Sequence, residues 1–67
     1  MNRPRRPPLA LPGEVWRWEG NNAEFYILRE DHRSSRGQMH EGLNLRTGAR
    51  EDCFFSYGFN NGWQKIV

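Results

Sequence analysis

The sequence predicts a small all-β domain of five antiparallel strands. Three observations indicate this fold class. Residues 42–46 alternate between leucine and polar side chains around Leu43 and Leu45, the period of two expected of a strand with one buried face. Thr47-Gly48 then interrupts the alternation, as the loop of a hairpin does. No window of about eleven residues keeps the apolar spacing of a helix.

Length and composition limit the domain to one aromatic core. A chain of 67 residues forms a single domain, and only 36% of its residues are hydrophobic. Four Phe, three Trp and two Tyr compensate, because each aromatic side chain buries a large area. The single cysteine, Cys53, excludes an intramolecular disulfide. No apolar run approaches the about 20 residues of a membrane span, so we expect a cytoplasmic protein with no membrane partner.

The first twelve residues differ in composition from the rest. They contain all four prolines and three arginines, Arg3, Arg5 and Arg6. This composition predicts a disordered or polyproline-II arm over residues 1–12, followed by a β-domain over residues 13–67. Four interpretations of the arm remain open: contact with nucleic-acid phosphates, a P-x-x-P string for an SH3-type groove, insertion into a protein partner, or a solvated tail.

Two strands are expected in the first half of the domain. Residues 14–19 form the first, with Trp16 and Trp18 on the face toward the core. Residues 20–22 form a turn, because Gly and Asn tolerate left-handed backbone angles. Residues 24–30 form the second strand, and its stretch 25–28 is apolar on both faces. That strand is therefore expected to be central in a barrel or covered on both faces.

Three further strands complete the prediction. Residues 31–37 form a mobile loop or the tip of a long hairpin. In the third strand, residues 38–46, Met39 and Leu43 define an apolar face on which Glu41 is a misfit, and Gly42 suggests a β-bulge. The fourth runs from residue 49 or 50 to about 55, and the last covers residues 62–67. Between them, either the fourth strand continues to Phe59, or a break at Gly58 leads through a short 3₁₀ turn; the break is favoured.

This arrangement resembles the SH3-like small barrels. The resemblance covers roughly residues 12–67 and is carried by the Pro12-Gly13-Glu14-Val15-Trp16 opening, the long polar loop, the Leu45–Gly48 hairpin and the closing strand. It is similar to KOW-type and PemK-like domains and to short phage open reading frames. The resemblance implies a five-stranded SH3-like barrel but no particular activity, because this fold hosts protein binders, nucleic-acid binders and nucleases.

Catalytic and metal chemistry find little support in the sequence. Cys53 with His32 or His40 is a formal nucleophile–base pair, but a lone cysteine in an aromatic strand is typical of a core residue. Two histidines and one cysteine without regular spacing do not make a zinc site. The acidic pairs at residues 30–31 and 51–52 point to opposite strand faces. We therefore expect no enzyme, no cofactor and no metal.

The surplus of aromatic side chains favours a binding module. A narrow barrel does not hold all of them, and exposed Tyr and Trp are good anchors for a partner. The leading hypothesis is a protein-binding modulator of phage or plasmid type. The alternatives are nucleic-acid binding through the arm, which the seven basic and eight acidic residues of 13–67 disfavour for the domain itself, and a homodimer. The predicted partner-binding residues are Arg3, Arg5, Arg6, Trp18, Tyr26, Arg33, Arg36, Tyr57 and Trp63.

Overall fold

The computed structural model describes residues 6–67 and confirms the all-β class. Its five strands are β1 Val15–Trp18, β2 Glu24–Arg33, β3 Gly37–Asn44, β4 Arg50–Ser56 and β5 Trp63–Lys65. They form one antiparallel sheet in the order β4-β3-β2-β1-β5. Within residues 6–67, no backbone ladder joins β4 to β5. The predicted barrel is therefore not closed by main-chain hydrogen bonds, and β4 and β5 are the two edges of the sheet.

Strands β2 and β3 form a long hairpin. The polar segment 31–37 is its tip rather than a mobile loop, and the Ser34 amide donates to the Gly37 carbonyl over 2.9 Å. The register shifts twice, between Ile27 and Arg29 and between Glu30 and His32. Both irregularities lie in β2. The bulge expected at Gly42 is therefore on β2 instead, directly after Ile27, the residue that pairs with Gly42.

The inner face of β3 is the polar one, which corrects the predicted apolar face. Gln38, His40 and Asn44 are buried, whereas Leu45 is 51% exposed. Gly42 explains this choice, because a Cβ there would lie 2.8 Å from the Cys53 Sγ and 3.2 Å from the Phe25 Cβ. Only glycine fits in this narrow space beside Cys53 and Phe25, so the face of β3 that carries Gly42 is the one that points to the core. Glu41 then lies on the outer face and is no misfit there.

The core is small and lies on the inner face of the sheet. Its buried apolar residues are Ala10, Phe25, Ile27, Cys53 and Phe55, with Leu9, Ala23, Trp16 and Trp63 packed against them. The two predicted tryptophans of β1 do face this side. The outer face of β2 is only partly covered, since Tyr26 is 41% exposed.

Residues 7–10, which lie within the predicted disordered or polyproline-II arm, contact the sheet. Ala10 is 1% exposed and belongs to the core. The Leu9 amide donates to the Gln38 Oε1 over 2.8 Å, and the Gln38 Nε2 donates to the Pro7 carbonyl over 3.1 Å. A buried amide needs partners, and the main chain of this segment supplies them. Arg3, Arg5 and the rest of residues 1–5 lie outside the described residues.

Two turn predictions are confirmed. Gly48 has a φ of 77° in the β3–β4 hairpin, where the Asn44 Oδ1 also accepts hydrogen bonds from the Arg46 and Thr47 amides. The favoured break after the fourth strand is present, because β4 ends at Ser56 and Gly58 has a φ of 112°. The break consists of bends rather than a 3₁₀ turn. It redirects the chain so that β5 reaches β1.

His40 makes the stability of the fold depend on pH. Its side chain is fully buried, its Nε2 lies 3.2 Å from the Gln38 Oε1, and its Nδ1 has no hydrogen-bond partner among the described residues. Burial lowers the pKa of His40, and this effect outweighs the negative charge of Glu30, which acts to raise it. The unfolded chain therefore takes up a proton near pH 6.5 while the folded chain does not.

We expect the free energy of unfolding to fall as the pH is lowered from 7.5 to 5.5. The slope cannot exceed about 1.4 kcal/mol per pH unit, because one proton is involved. Urea unfolding at several pH values measures it. His40→Gln should abolish most of the dependence, and His32→Gln, which changes an exposed histidine, should leave it intact. A flat profile for the wild-type chain would contradict this account.

Candidate functional site

The structure brings two of the predicted binding residues, Trp18 and Trp63, into contact. Their ring centroids lie 5.1 Å apart at an interplanar angle of 54°. Trp63 also stacks on Phe55 with a centroid distance of 4.6 Å, and its Nε1 donates to the Phe54 carbonyl over 2.8 Å. This hydrogen bond runs from β5 to β4 and so connects the two edges of the sheet.

Two glycines hold the indole of Trp18 in place. A Cβ at Gly20 would lie 2.5 Å from the Trp18 Nε1, and a Cβ at Gly62 would lie 2.7 Å from its Cζ3. The ring therefore packs directly on main chain that no other residue type would allow. It nevertheless remains 36% exposed. Trp18 is thus an exposed aromatic group whose ring packs closely on the backbone at Gly20 and Gly62.

An open groove lies beside these rings, between the edge strands, and we call it the tryptophan groove. Its volume is about 330 Å³. Four aromatic residues and three polar residues line it, and none of these described residues is cationic: Trp18, Asn21, Phe25, Glu51, Asp52, Phe54 and Trp63. The groove therefore combines aromatic faces with two carboxylates.

The carboxylates of Glu51 and Asp52 give the groove a negative potential. One oxygen of Glu51 accepts from the Asn44 Nδ2 over 2.9 Å, whereas the side chain of Asp52 makes no hydrogen bond or ion pair with any of residues 6–67. Burial, together with these two negative charges, raises the pKa of Cys53 to about 12. The thiol is therefore protonated at neutral pH and is a core group rather than a nucleophile.

Four other predicted residues meet at the tip of the β2–β3 hairpin. The Arg6 guanidinium lies 4.3 Å from the centroid of the Tyr57 ring. Arg33 pairs with Glu30 through two hydrogen bonds and also donates to the Arg6 carbonyl. Its pairing with Glu30 raises the pKa of Arg33. Arg36 makes no side-chain hydrogen bond or ion pair with the described part of the chain. Most of this cationic cluster is thus engaged within the molecule.

Tyr26 lies apart from both groups. It pairs with Val15 and Leu43 across the sheet and is exposed on the outer face of β2. It lines neither the tryptophan groove nor the hairpin tip. The sequence-predicted residues therefore divide among three places, and the predicted pair Arg3 and Arg5 lies outside the described residues.

Sequence reasoning missed five residues of the groove: Asn21, Phe25, Glu51, Asp52 and Phe54. The acidic pair was considered only as a catalytic dyad. A signal was available in Gly20 and Gly62, which stand close to Trp18 and Trp63 in the sequence. A glycine next to a surface tryptophan can mark a place where the ring lies on the backbone.

Metal binding and membrane insertion find no further support in the structure. Residues 6–67 contain no group of three or more His, Cys, Asp or Glu side chains placed to hold a metal ion. The same residues form no helix long and apolar enough to span a bilayer.

Comparison with protein-family models, curated proteins and solved structures gives no significant match. The groove must therefore be interpreted from its own geometry.

The packing of Trp18 predicts a specific effect of Gly20→Ala. The new methyl group would overlap the indole, so the ring should swing away from the backbone and the Trp18 indole N–H signal should shift in ¹H–¹⁵N NMR spectra. Gly48→Ala is the control, because its methyl group meets nothing within 4 Å while its φ of 77° still causes backbone strain. An unmoved Trp18 signal in Gly20→Ala, or an equal shift in both variants, would contradict the packing.

Proposed function

We propose that this chain is a non-enzymatic module that binds a protein partner through the tryptophan groove. The observation that carries the proposal is the indole of Trp18, which packs closely on two glycines and yet remains exposed. Tryptophan is enriched among the residues that dominate binding energy at interfaces. An anchor already held in one orientation loses little conformational entropy on binding, so more of its contact energy contributes to affinity.

The surroundings of the groove support the same function. Phe54 adds apolar surface that is 40% exposed, and the polar side chains stand beside it, as in the apolar centre and polar rim of an interface. The groove offers aromatic faces and carboxylates rather than a nucleophile with a base. A free thiol at Cys53 fits a reducing compartment, and we propose the cytoplasm.

The structure favours a protein partner over nucleic acid. Stacking on bases needs an open aromatic face next to free cations. At the hairpin tip, Arg6 covers one face of the Tyr57 ring, and Arg33 is paired with Glu30. The tryptophan groove itself is acidic and would repel phosphates. Nucleic-acid binding would therefore depend on Arg36 and on residues outside the described range.

A capture experiment with matched variants tests the proposal. Tagged full-length wild type, Trp18→Ala and Tyr26→Ala are incubated with a nuclease-treated bacterial lysate, and recovered proteins are identified by mass spectrometry. We expect one protein to be recovered by wild type and by Tyr26→Ala. We expect Trp18→Ala to lose it, because removing a central tryptophan weakens binding by roughly thirtyfold or more. Circular dichroism checks that all three chains fold.

The opposite outcomes are equally clear. Recovery that does not change in Trp18→Ala would exclude the groove as the binding surface. Recovery from a parallel untreated lysate but not from the nuclease-treated one would favour the alternative function. Capture of the same chain alone would identify the module as a homodimer.

A further inference from the structure

We propose that the tryptophan groove receives the guanidinium group of an arginine side chain, presented by an extended segment of the partner. This inference rests on the proposed function and specifies the chemistry that the groove recognises. Three properties of the groove carry it: its charge, the arrangement of its rings, and its position between two strand edges.

The charge of the groove calls for a cationic ligand. Glu51 and Asp52 are the ionisable groups among its described lining residues, and Asp52 has no partner within residues 6–67. A carboxylate beside aromatic surface gains most from a cation that brings its own hydrogen-bond donors. An apolar ligand would give the Asp52 carboxylate no hydrogen-bond donor, and an anionic ligand would be repelled.

The rings favour a planar cation. Trp18 and Trp63 lie 5.1 Å apart and are inclined by 54°, so they form an angled aromatic wall. Indole rings attract cations over their faces more strongly than the other aromatic side chains do. A guanidinium group can stack flat on such a ring while its edge donates two hydrogen bonds to a carboxylate. The chain makes a related contact internally, where Arg6 lies over Tyr57 at 4.3 Å.

The dimensions and position of the groove suit a side chain from an extended segment. A volume of about 330 Å³ holds the stem of an arginine, which Phe25 and Phe54 would shield from water. The groove lies between β4 and β5, each of which has only one neighbouring strand in the sheet. An extended segment can align with such an edge and place alternate side chains in the groove.

The test uses two capped peptides of nearly the same shape, Gly-Ser-Arg-Ser-Gly and the same sequence with citrulline, in which a neutral ureido group replaces the guanidinium. Each is titrated into the ¹⁵N-labelled full chain and followed by ¹H–¹⁵N NMR. We expect the arginine peptide to shift the indole N–H signals of Trp18 and Trp63 with a Kd of about 1 mM, and the citrulline peptide to bind at least tenfold more weakly.

A pair of variants locates the interaction. Asp52→Asn should weaken binding of the arginine peptide at least threefold, whereas Asp31→Asn, which removes an exposed carboxylate from the hairpin, should leave it unchanged. Both substitutions alter net charge equally, so a difference between them reports position rather than overall charge.

Three outcomes overturn the inference. They are equal binding of the two peptides, no shift of the tryptophan signals by either, and concentration-dependent shifts without peptide, which would show that a second copy fills the groove. If a protein is still captured through Trp18, the proposed function stands and only the arginine assignment fails. If Trp18→Ala leaves capture unchanged, the proposed function itself fails.

Discussion

The position of β5 and the shape of the tryptophan groove depend on the contact of Trp63 with the opposite edge of the sheet. Its indole stacks on Phe55 in the core, packs edge-on against Phe25 and donates a hydrogen bond to the main chain of β4. No backbone ladder joins β4 to β5 within residues 6–67. The side chain of Trp63 therefore connects these two edge strands in place of main-chain pairing. The same ring forms one wall of the tryptophan groove, and the groove therefore exists because the sheet is closed by a side chain.

The polar interior of β3 imposes a second constraint. Gly42 brings the strand so close to Cys53 and Phe25 that Gln38 and His40 turn inward with it. Buried polar groups without partners are costly, and Gln38 finds two in the main chain of residues 7 and 9. The N-terminal segment is thereby fixed against the sheet, where Ala10 completes the core. Burial lowers the pKa of His40, which is why its protonation opposes folding.

Local patterns predicted the elements well, because strand alternation and turn chemistry are encoded within a few residues. The break at Gly58 and the turn at Gly48 follow from backbone freedom alone. The buried face of β3 was predicted wrongly because Leu43 and Leu45 outweighed Gly42, whose importance depends on which strands cross there. The groove could not be predicted from local patterns, because Trp18 and Asp52 are far apart in the sequence. They line one groove only because the sheet places β1 and β4 on either side of it.

Hydrogen exchange in wild type and Trp63→Phe tests most directly whether this side chain closes the sheet. Phenylalanine keeps a ring to stack on Phe55 but cannot donate to the Phe54 carbonyl. The account predicts faster exchange in the variant for the amides of β5 and for the adjoining amide of Ile66, which donates to the Val15 carbonyl. The β2–β3 hairpin should stay protected. Unchanged protection of β5 would show that the edges are held together without Trp63 and would contradict the account.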